Sequence, residues 1–243
     1  IRDHSATRIL MKGAAVVLGL VSIAVAAEPT AAESEAAHLA NIRQVTFELP
    51  RAGEGYFSPD GSLIVYQAYP VGYPFYQIYV QPVDERTPRL VSTGRGRTTC
   101  AFFSRDGKQI LFASAHTHPE IALEEKKARE LEAAGGRRRY QWDFDPHMEI
   151  FLADPDGGNL QRLTDSPGYD AECAFSPDGQ QIVFCSTRDG DPDLYLMNAD
   201  GTNVRQLTNV PGYDGGPFFS PDGKWIVFRS DRKQPEFLQI RAI

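Results

Sequence analysis

The chain has 243 residues, 42% of them hydrophobic and 23% charged, with a formal net charge of −7. That balance fits a soluble globular protein, and its acidic surface repels nucleic-acid phosphates, which argues against a nucleic-acid role. Cys100, Cys173 and Cys185 show no CxxC or metal-like spacing; each lies in an apolar run and reads as a small buried hydrophobe.

Taken in chain order, the first element is a targeting segment. Met11 and Lys12 precede an uncharged run, residues 13–27, whose end carries Ala24-Val25-Ala26. A positive start, a short apolar core and a small-residue exit make a secretory signal peptide. The run falls short of the roughly 20 apolar residues that span a bilayer. Residues 1–27 therefore read as upstream sequence plus leader, and residues 28–40 as a linker. Residues 1–27 hold Arg2, Arg8 and Lys12 against Asp3, so cleavage leaves a net charge of −9. The expected location is periplasmic or secreted, with no membrane insertion after cleavage.

From residue 41 onward the chain repeats itself. Four turns, Phe57-Ser58-Pro59-Asp60-Gly61, Phe103-Ser104-Arg105-Asp106-Gly107, Phe175-Ser176-Pro177-Asp178-Gly179 and Phe219-Ser220-Pro221-Asp222-Gly223, each precede an alternating run (63–68, 109–114, 181–186, 225–230). The aspartate bonds back to its turn and glycine supplies the positive φ that closes a hairpin. Third strands follow at 77–84, 149–157, 193–201 and 238–243, and fourth strands at 88–93, 159–164 and 203–208. Two of the three Phe-to-Phe steps, 46 and 44 residues, lie near the ~40–45 residues of a propeller blade, and the 72-residue step holds an insertion at about 115–147. A single such sheet cannot bury both faces, so the units must stack radially. The prediction is an all-β propeller of four-stranded antiparallel blades over 41–243, about four of them present out of a ring of six or more. Phe57, Phe103, Phe175 and Phe219 are expected at equivalent buried places between blades. The segment 41–46 (NIRQVT) matches 203–208 (NVRQLT) and is expected as an outer strand that completes another blade. Inside the insertion, residues 120–136 are rich in helix formers and stop at Gly135-Gly136.

The FSPDG turn, the strand after it, the D-[IL]-Y step and N-x-D-G-x-N-x-R-x-L-T together resemble the repeats of the TolB-like (WD40-like) β-propeller family. The resemblance covers 41–243 outside the insertion. It implies an exported propeller that binds a protein or an envelope polymer and is not itself an enzyme. Similar repeats also form the N-terminal propeller of longer exported hydrolases, prolyl-oligopeptidase-like peptidases or amidohydrolases, which is the alternative reading.

In a four-stranded blade the FSPDG turns share one face of the disc, while the blade-to-blade links and the insertion share the other. Irregular loops on a rigid scaffold are the usual binding surface. The candidate binding residues are Arg137, Arg138, Arg139, Tyr140 and Trp142 in the insertion, with Arg95, Arg97, Asp170, Glu172 and Asp214 on the links. Arginine with tyrosine and tryptophan is the composition of interface centres. No catalytic residue is expected, since no G-x-S-x-G or HExxH occurs. No cofactor or metal is expected either. Asp189, Asp191 and Asp193 are the residues to consider for Ca²⁺ and His116 with His118 for zinc, but both sets lack enough contiguous ligands.

Overall fold

The computed structural model describes residue 35 and residues 38–135, 144–231 and 240–241. The chain divides into two units, Ile1–Arg43 and Gln44–Ile243. In the first, residues 35 and 38 are helical and the Leu39 N–H donates to the Glu35 carbonyl (2.9 Å). The leader at 1–27 lies outside the described residues, as does most of the 28–40 linker.

All the sheets belong to the second unit. The first contains β1 (Gly53–Phe57), β2 (Leu63–Ala68), β3 (Gln77–Pro82) and β4 (Arg89–Leu90). The second contains β5 (Thr98–Phe103), β6 (Ile110–Ser114), β7 (Glu149–Ala153) and β8 (Gln161–Arg162). The third contains β9 (Asp170–Phe175), β10 (Gln181–Ser186), β11 (Asp193–Asn198) and β12 (Arg205–Gln206). The fourth has β13 (Asp214–Phe219), β14 (Trp225–Ser230) and β15 (Ile240–Arg241). Spatial order equals chain order in every sheet, so each is an antiparallel meander. One helix, α1 (Ile121–Ala133), is inserted between β6 and β7.

The repeated turns work as their residue types require. In the first, Ser58 Oγ donates to Asp60 Oδ1 (2.6 Å) and accepts from the Leu63 N–H (2.9 Å), while Gly61 takes φ 73°. Ser104 with Asp106, Ser176 with Asp178 and Ser220 with Asp222 repeat this pattern. A second clamp holds the short outer strands. The hydroxyls of Ser92, Thr164 and Thr208 accept from the N–H groups of Ile78, Ile150 and Leu194 (2.9–3.0 Å). They donate in turn to the buried Gln77, Glu149 and Asp193 (2.6–2.8 Å). A two-residue outer strand is thus tied down by side chains where ladder bonds run out.

The sheets pack face to face, and the core lies between them. Val65, Ile78 and Val80 of the first sheet meet Phe103, Ile110 and Phe112 of the second. Leu111, Ile150 and Leu152 meet Ile182, Phe184 and Tyr195 of the third. Val183, Leu194 and Leu196 meet Ile226 and Phe219 of the fourth. The turn phenylalanines therefore do occupy equivalent places, each directed at the preceding sheet. Phe103 is buried, and Phe175 and Phe219 are half-buried in their interfaces. Phe57 departs from expectation: it is 62% exposed. Its side faces where a preceding sheet would stand, and among the described residues none does. The mirror case is Val227, also 62% exposed, although its counterparts Val65, Leu111 and Val183 are fully buried against a following sheet.

The expectation for 41–46 also needs correction. Residues 41–47 form no strand. Val45, Leu49 and Ala52 pack instead on Ile64, Tyr66, Ala68 and Tyr79, and Gln81 Nε2 donates to the Val45 carbonyl (2.7 Å). Burying apolar side chains on the open face of the first sheet prevails over pairing at an edge.

Candidate functional site

Successive inner strands β1, β5, β9 and β13 lie side by side. Aligning the repeats on the turn phenylalanine puts Glu54, Cys100, Glu172 and Gly216 at one register position, three residues before it. All four have positive φ: 45°, 54°, 53° and 58°. Strand pairing slips at the same place in each sheet, beside Glu54, Cys100 and Gly216 and opposite Glu172. Every inner strand thus carries a β-bulge whose left-handed residue is re-aimed out of the sheet. Three of the four are not glycine, and a left-handed residue with a Cβ costs about 1–2 kcal/mol. Strain of that kind gathers at functional sites.

The bulged residues line a cavity of about 480 Å³. Its floor is aromatic. Tyr56, Phe102 and Phe218 share the next-but-one register position, with ring centroids 3.9 Å (Tyr56–Phe102) and 5.5 Å (Phe102–Phe218) apart. The third sheet has Ala174 there. Val227, Phe228 and Arg229 of β14 complete the wall.

Two carboxylates reach this cavity, and their partners differ. Glu172 is buried. It accepts from the Tyr213 hydroxyl at Oε2 (2.7 Å), from the Tyr169 hydroxyl at Oε1 (3.3 Å) and from Arg229 Nη2 (3.3 Å). Burial raises its pKa, against the pull of Tyr213, Arg229, the Gly216 N–H and Tyr169. Gly216 makes this arrangement possible: a Cβ there would lie 2.8 Å from Arg229 Nε. Glu54 instead accepts neutral bonds, from Gln67 Nε2 (3.0 Å) and from the Cys100 thiol. Its side chain is open to water, yet the enclosing walls raise its pKa, with the Glu172 charge adding to the rise and the Cys100 bond and the Arg229 charge opposing it. Burial pushes the Cys100 thiol far up, with the Glu54 charge adding to it, and burial pushes Tyr56 to about 12.

The link-and-insertion face lies over this cavity. Tyr169 and Tyr213 come from the repeated Pro-Gly-Tyr-Asp links, and Phe144, at the end of the insertion, packs edge-on to Tyr169 (5.1 Å). Helix α1 is fastened by Glu125, which accepts from the Tyr73 hydroxyl (2.7 Å), Arg95 Nε (3.4 Å) and the Gly96 N–H (3.4 Å). Burial opposes the ionised form of Glu125, but these three bonds outweigh it and lower its pKa. Arg97 Nη1 bonds Asp145 Oδ2 (2.8 Å). Arg95 and Arg97, expected to meet a partner, therefore clamp the insertion to the links.

Of the other expected binding residues, Glu172 reaches the cavity. Asp170 and Asp214 head their inner strands but have no accessible surface. Asp170 Oδ2 is held by Arg188 Nη2 and Ser166 Oγ (both 2.9 Å), so loop and link draw its carboxylate inward. These two aspartates are thus not available as polar anchors. Arg137, Arg138, Arg139, Tyr140 and Trp142 lie outside the described residues. Asp193 is taken up by Thr208, Asp191 accepts from the Gly212 N–H (2.9 Å) and Asp189 from Gln206. His116 shares a hydrogen with Ser114 Oγ (2.8 Å), while His118 packs on His147. Among the described residues no three His, Cys, Asp or Glu side chains converge on a common point.

Glu54, Cys100, Arg229, Tyr169 and Tyr213 were not singled out from sequence. For Glu54 and Cys100 the signal was present as the shared offset from each turn phenylalanine, but glutamate, cysteine and glycine there make no motif.

Meander sheets stacked through their faces, with inner strands bordering a cavity, define a β-propeller domain. The repeats are similar to those of the TolB-like β-propeller family. The TolB beta propeller domain family matches residues 147–240. The Tol-Pal system protein TolB of Bordetella pertussis is 45% identical over 47 residues, 19% of this chain and 11% of that protein. That of Bordetella parapertussis matches to the same extent. A solved structure described as TolB from Agrobacterium tumefaciens superposes with a TM-score of 0.60 at 25% identity, covering 78% of this chain and 59% of that one. TolB from Acinetobacter baumannii gives 0.54 at 23% identity, covering 74% and 37%, and shares the fold. The matched part thus spans about a tenth of the curated relatives' length. No described helix is long and apolar enough to cross a membrane.

Proposed function

We propose that this TolB-like propeller is an exported binding module that receives a segment of an envelope protein over its central cavity. It acts by binding, without catalysis or a cofactor. The observation that carries this reading is the row of bulges: four inner strands break at one register position and turn Glu54, Cys100 and Glu172 into an open, aromatic-floored cavity. Left-handed residues other than glycine carry strain of the kind that gathers at functional sites. The leader-like residues 1–27 support export, and kinship with proteins of the Tol-Pal system supports an envelope partner. The insertion, fastened beside the cavity through Glu125 and Asp145, extends the surface, with Arg137, Arg138, Arg139, Tyr140 and Trp142 as contact residues.

The test is affinity capture from envelope extracts with the whole chain as bait. Phe144→Ala, beside Tyr169, and Trp142→Ala, in the insertion, are compared with Lys108→Ala in a repeated turn. A protein held by wild type and Lys108→Ala but lost from the other two is the expected result. Equal capture by all four baits would overturn the proposal.

A further inference from the structure

The two cavity carboxylates stand at the same register position, yet the chain treats them differently. Glu172 receives a guanidinium from within: Arg229 of the next sheet crosses the notch left by Gly216 and bonds Oε2. Among the described residues Glu54 forms no ion pair, although the charge of Arg229 reaches it and lowers its pKa. In the sheet that follows it, the counterpart of Gly216 is Cys100 and the counterpart of Arg229 is Ala113, so that sheet offers neither notch nor cation. Its hydrogen-bond partners, Gln67 and Cys100, are both neutral. Glu54 nonetheless reaches a cavity of about 480 Å³, within the ~300–1,000 Å³ of ligand pockets. Below it lie the rings of Tyr56, Phe102 and Phe218. A carboxylate above aromatic faces attracts a flat organic cation through both charge and ring quadrupole.

We propose that this cavity is a guanidinium pocket, which takes an arginine side chain of a bound polypeptide against Glu54 as Arg229 is taken against Glu172. The inference deepens the binding-module reading and rests on it, naming the chemistry the partner must present. Guanidinium is favoured over ammonium because a planar fork can bond a carboxylate while lying flat on a ring. The aliphatic arm of the arginine runs along Phe102 and Phe218, and the entering head leaves the Arg229–Glu172 pair in place.

The probe is Nα-acetyl-arginine amide, titrated into the whole chain and followed by NMR shifts of the labelled protein. Its neutral isostere, Nα-acetyl-citrulline amide, and CaCl₂ are the comparison arms. The arginine probe is expected to bind in the millimolar range at residues lining the cavity, at least tenfold more tightly than citrulline. Glu54→Gln is expected to remove that tenfold preference, with its melting temperature showing that the fold persists. Equal binding of arginine and citrulline to wild type would overturn the proposal without any variant. So would an arginine preference that survives Glu54→Gln, or displacement of the probe by millimolar Ca²⁺, which would make the site a metal site. Failure of envelope capture with the probe preference intact counts against the envelope partner and not against the pocket. The reverse result counts against the pocket alone.

Discussion

Phe103→Ala and Phe57→Ala change the same residue of the same repeated turn, and the structure assigns them different costs. A phenylalanine side chain carries roughly 200 Å² of surface, and its burial contributes about 25 cal/mol per Å². Phe103 is 8% exposed and Phe57 62% exposed. Scaling by the buried share gives about 4.5 kcal/mol for Phe103 and about 2 kcal/mol for Phe57, both upper values because the unfolded chain already hides some surface. The difference of about 2.5 kcal/mol corresponds to roughly a sixtyfold change in the folding equilibrium. Urea unfolding of the whole chain, followed by far-ultraviolet circular dichroism, measures it directly. Phe103→Ala should lower the midpoint far more than Phe57→Ala at an unchanged slope. Equal shifts would mean that Phe57 is packed against something in solution, and the account of which sheet faces are covered would be wrong.

Three further outcomes follow from named contacts. Gly201→Ala should cost at least 1–2 kcal/mol, because φ is +86° and the new Cβ would lie 2.7 Å from the Leu163 carbonyl oxygen; thermal unfolding reads it. Glu125→Ala should loosen α1 without unfolding the sheets, since Tyr73, Arg95 and Gly96 lose a shared acceptor; amide exchange over 121–133 should quicken while β10 and β11 stay protected. Acid and neutral limbs of the pH–stability profile should have opposite owners. Ser58 and Ser62 hold Asp60 down to about 2, and Asp106, Asp178 and Asp222 are lowered in the same way, so their contribution is present above about 3.8 and is lost as pH falls toward 2. Glu54 and Glu172 are raised, so their contribution is complete below about 4.5 and is lost as pH climbs through their folded values. Glu54→Gln should therefore flatten the decline above pH 4.5 and leave the acid limb unchanged.

The repeats were legible because each turn is a local matter. Ser58, Asp60 and Gly61 close their hairpin with bonds spanning a few residues, and a short window of sequence contains all of it. Helix α1 was legible for the same reason. Faces were not, since burial of Phe57 or Val227 depends on a neighbouring sheet and identical repeats promise identical neighbours. The burial of Asp170 and Asp214 was likewise out of reach of a local reading: Asp170 is drawn inward by Arg188, which comes from another loop. The bulges were hidden because strand reading assumes strict alternation, and one left-handed residue breaks the period without a change of residue type to announce it. Cys100 shows this well. It sits in an apolar run and is buried, as expected, yet its backbone is left-handed and its thiol borders the cavity.

Because each bulge resolves its own geometry within a single sheet, the four positions behave as sockets of fixed aim and interchangeable content. Backbone conformation there is nearly the same for glutamate, cysteine and glycine, with φ between 45° and 58°. Glu54, the exposed one of the four, is the position where the lining can be rewritten at least consequence for the sheets behind it, whereas Cys100 and Glu172 are buried and a Cβ at 216 would meet Arg229. Substitutions at 54 would sample cavity charge in unit steps on one unchanged scaffold. The same property lets a duplicated blade diverge in what it offers a ligand while its packing is left alone.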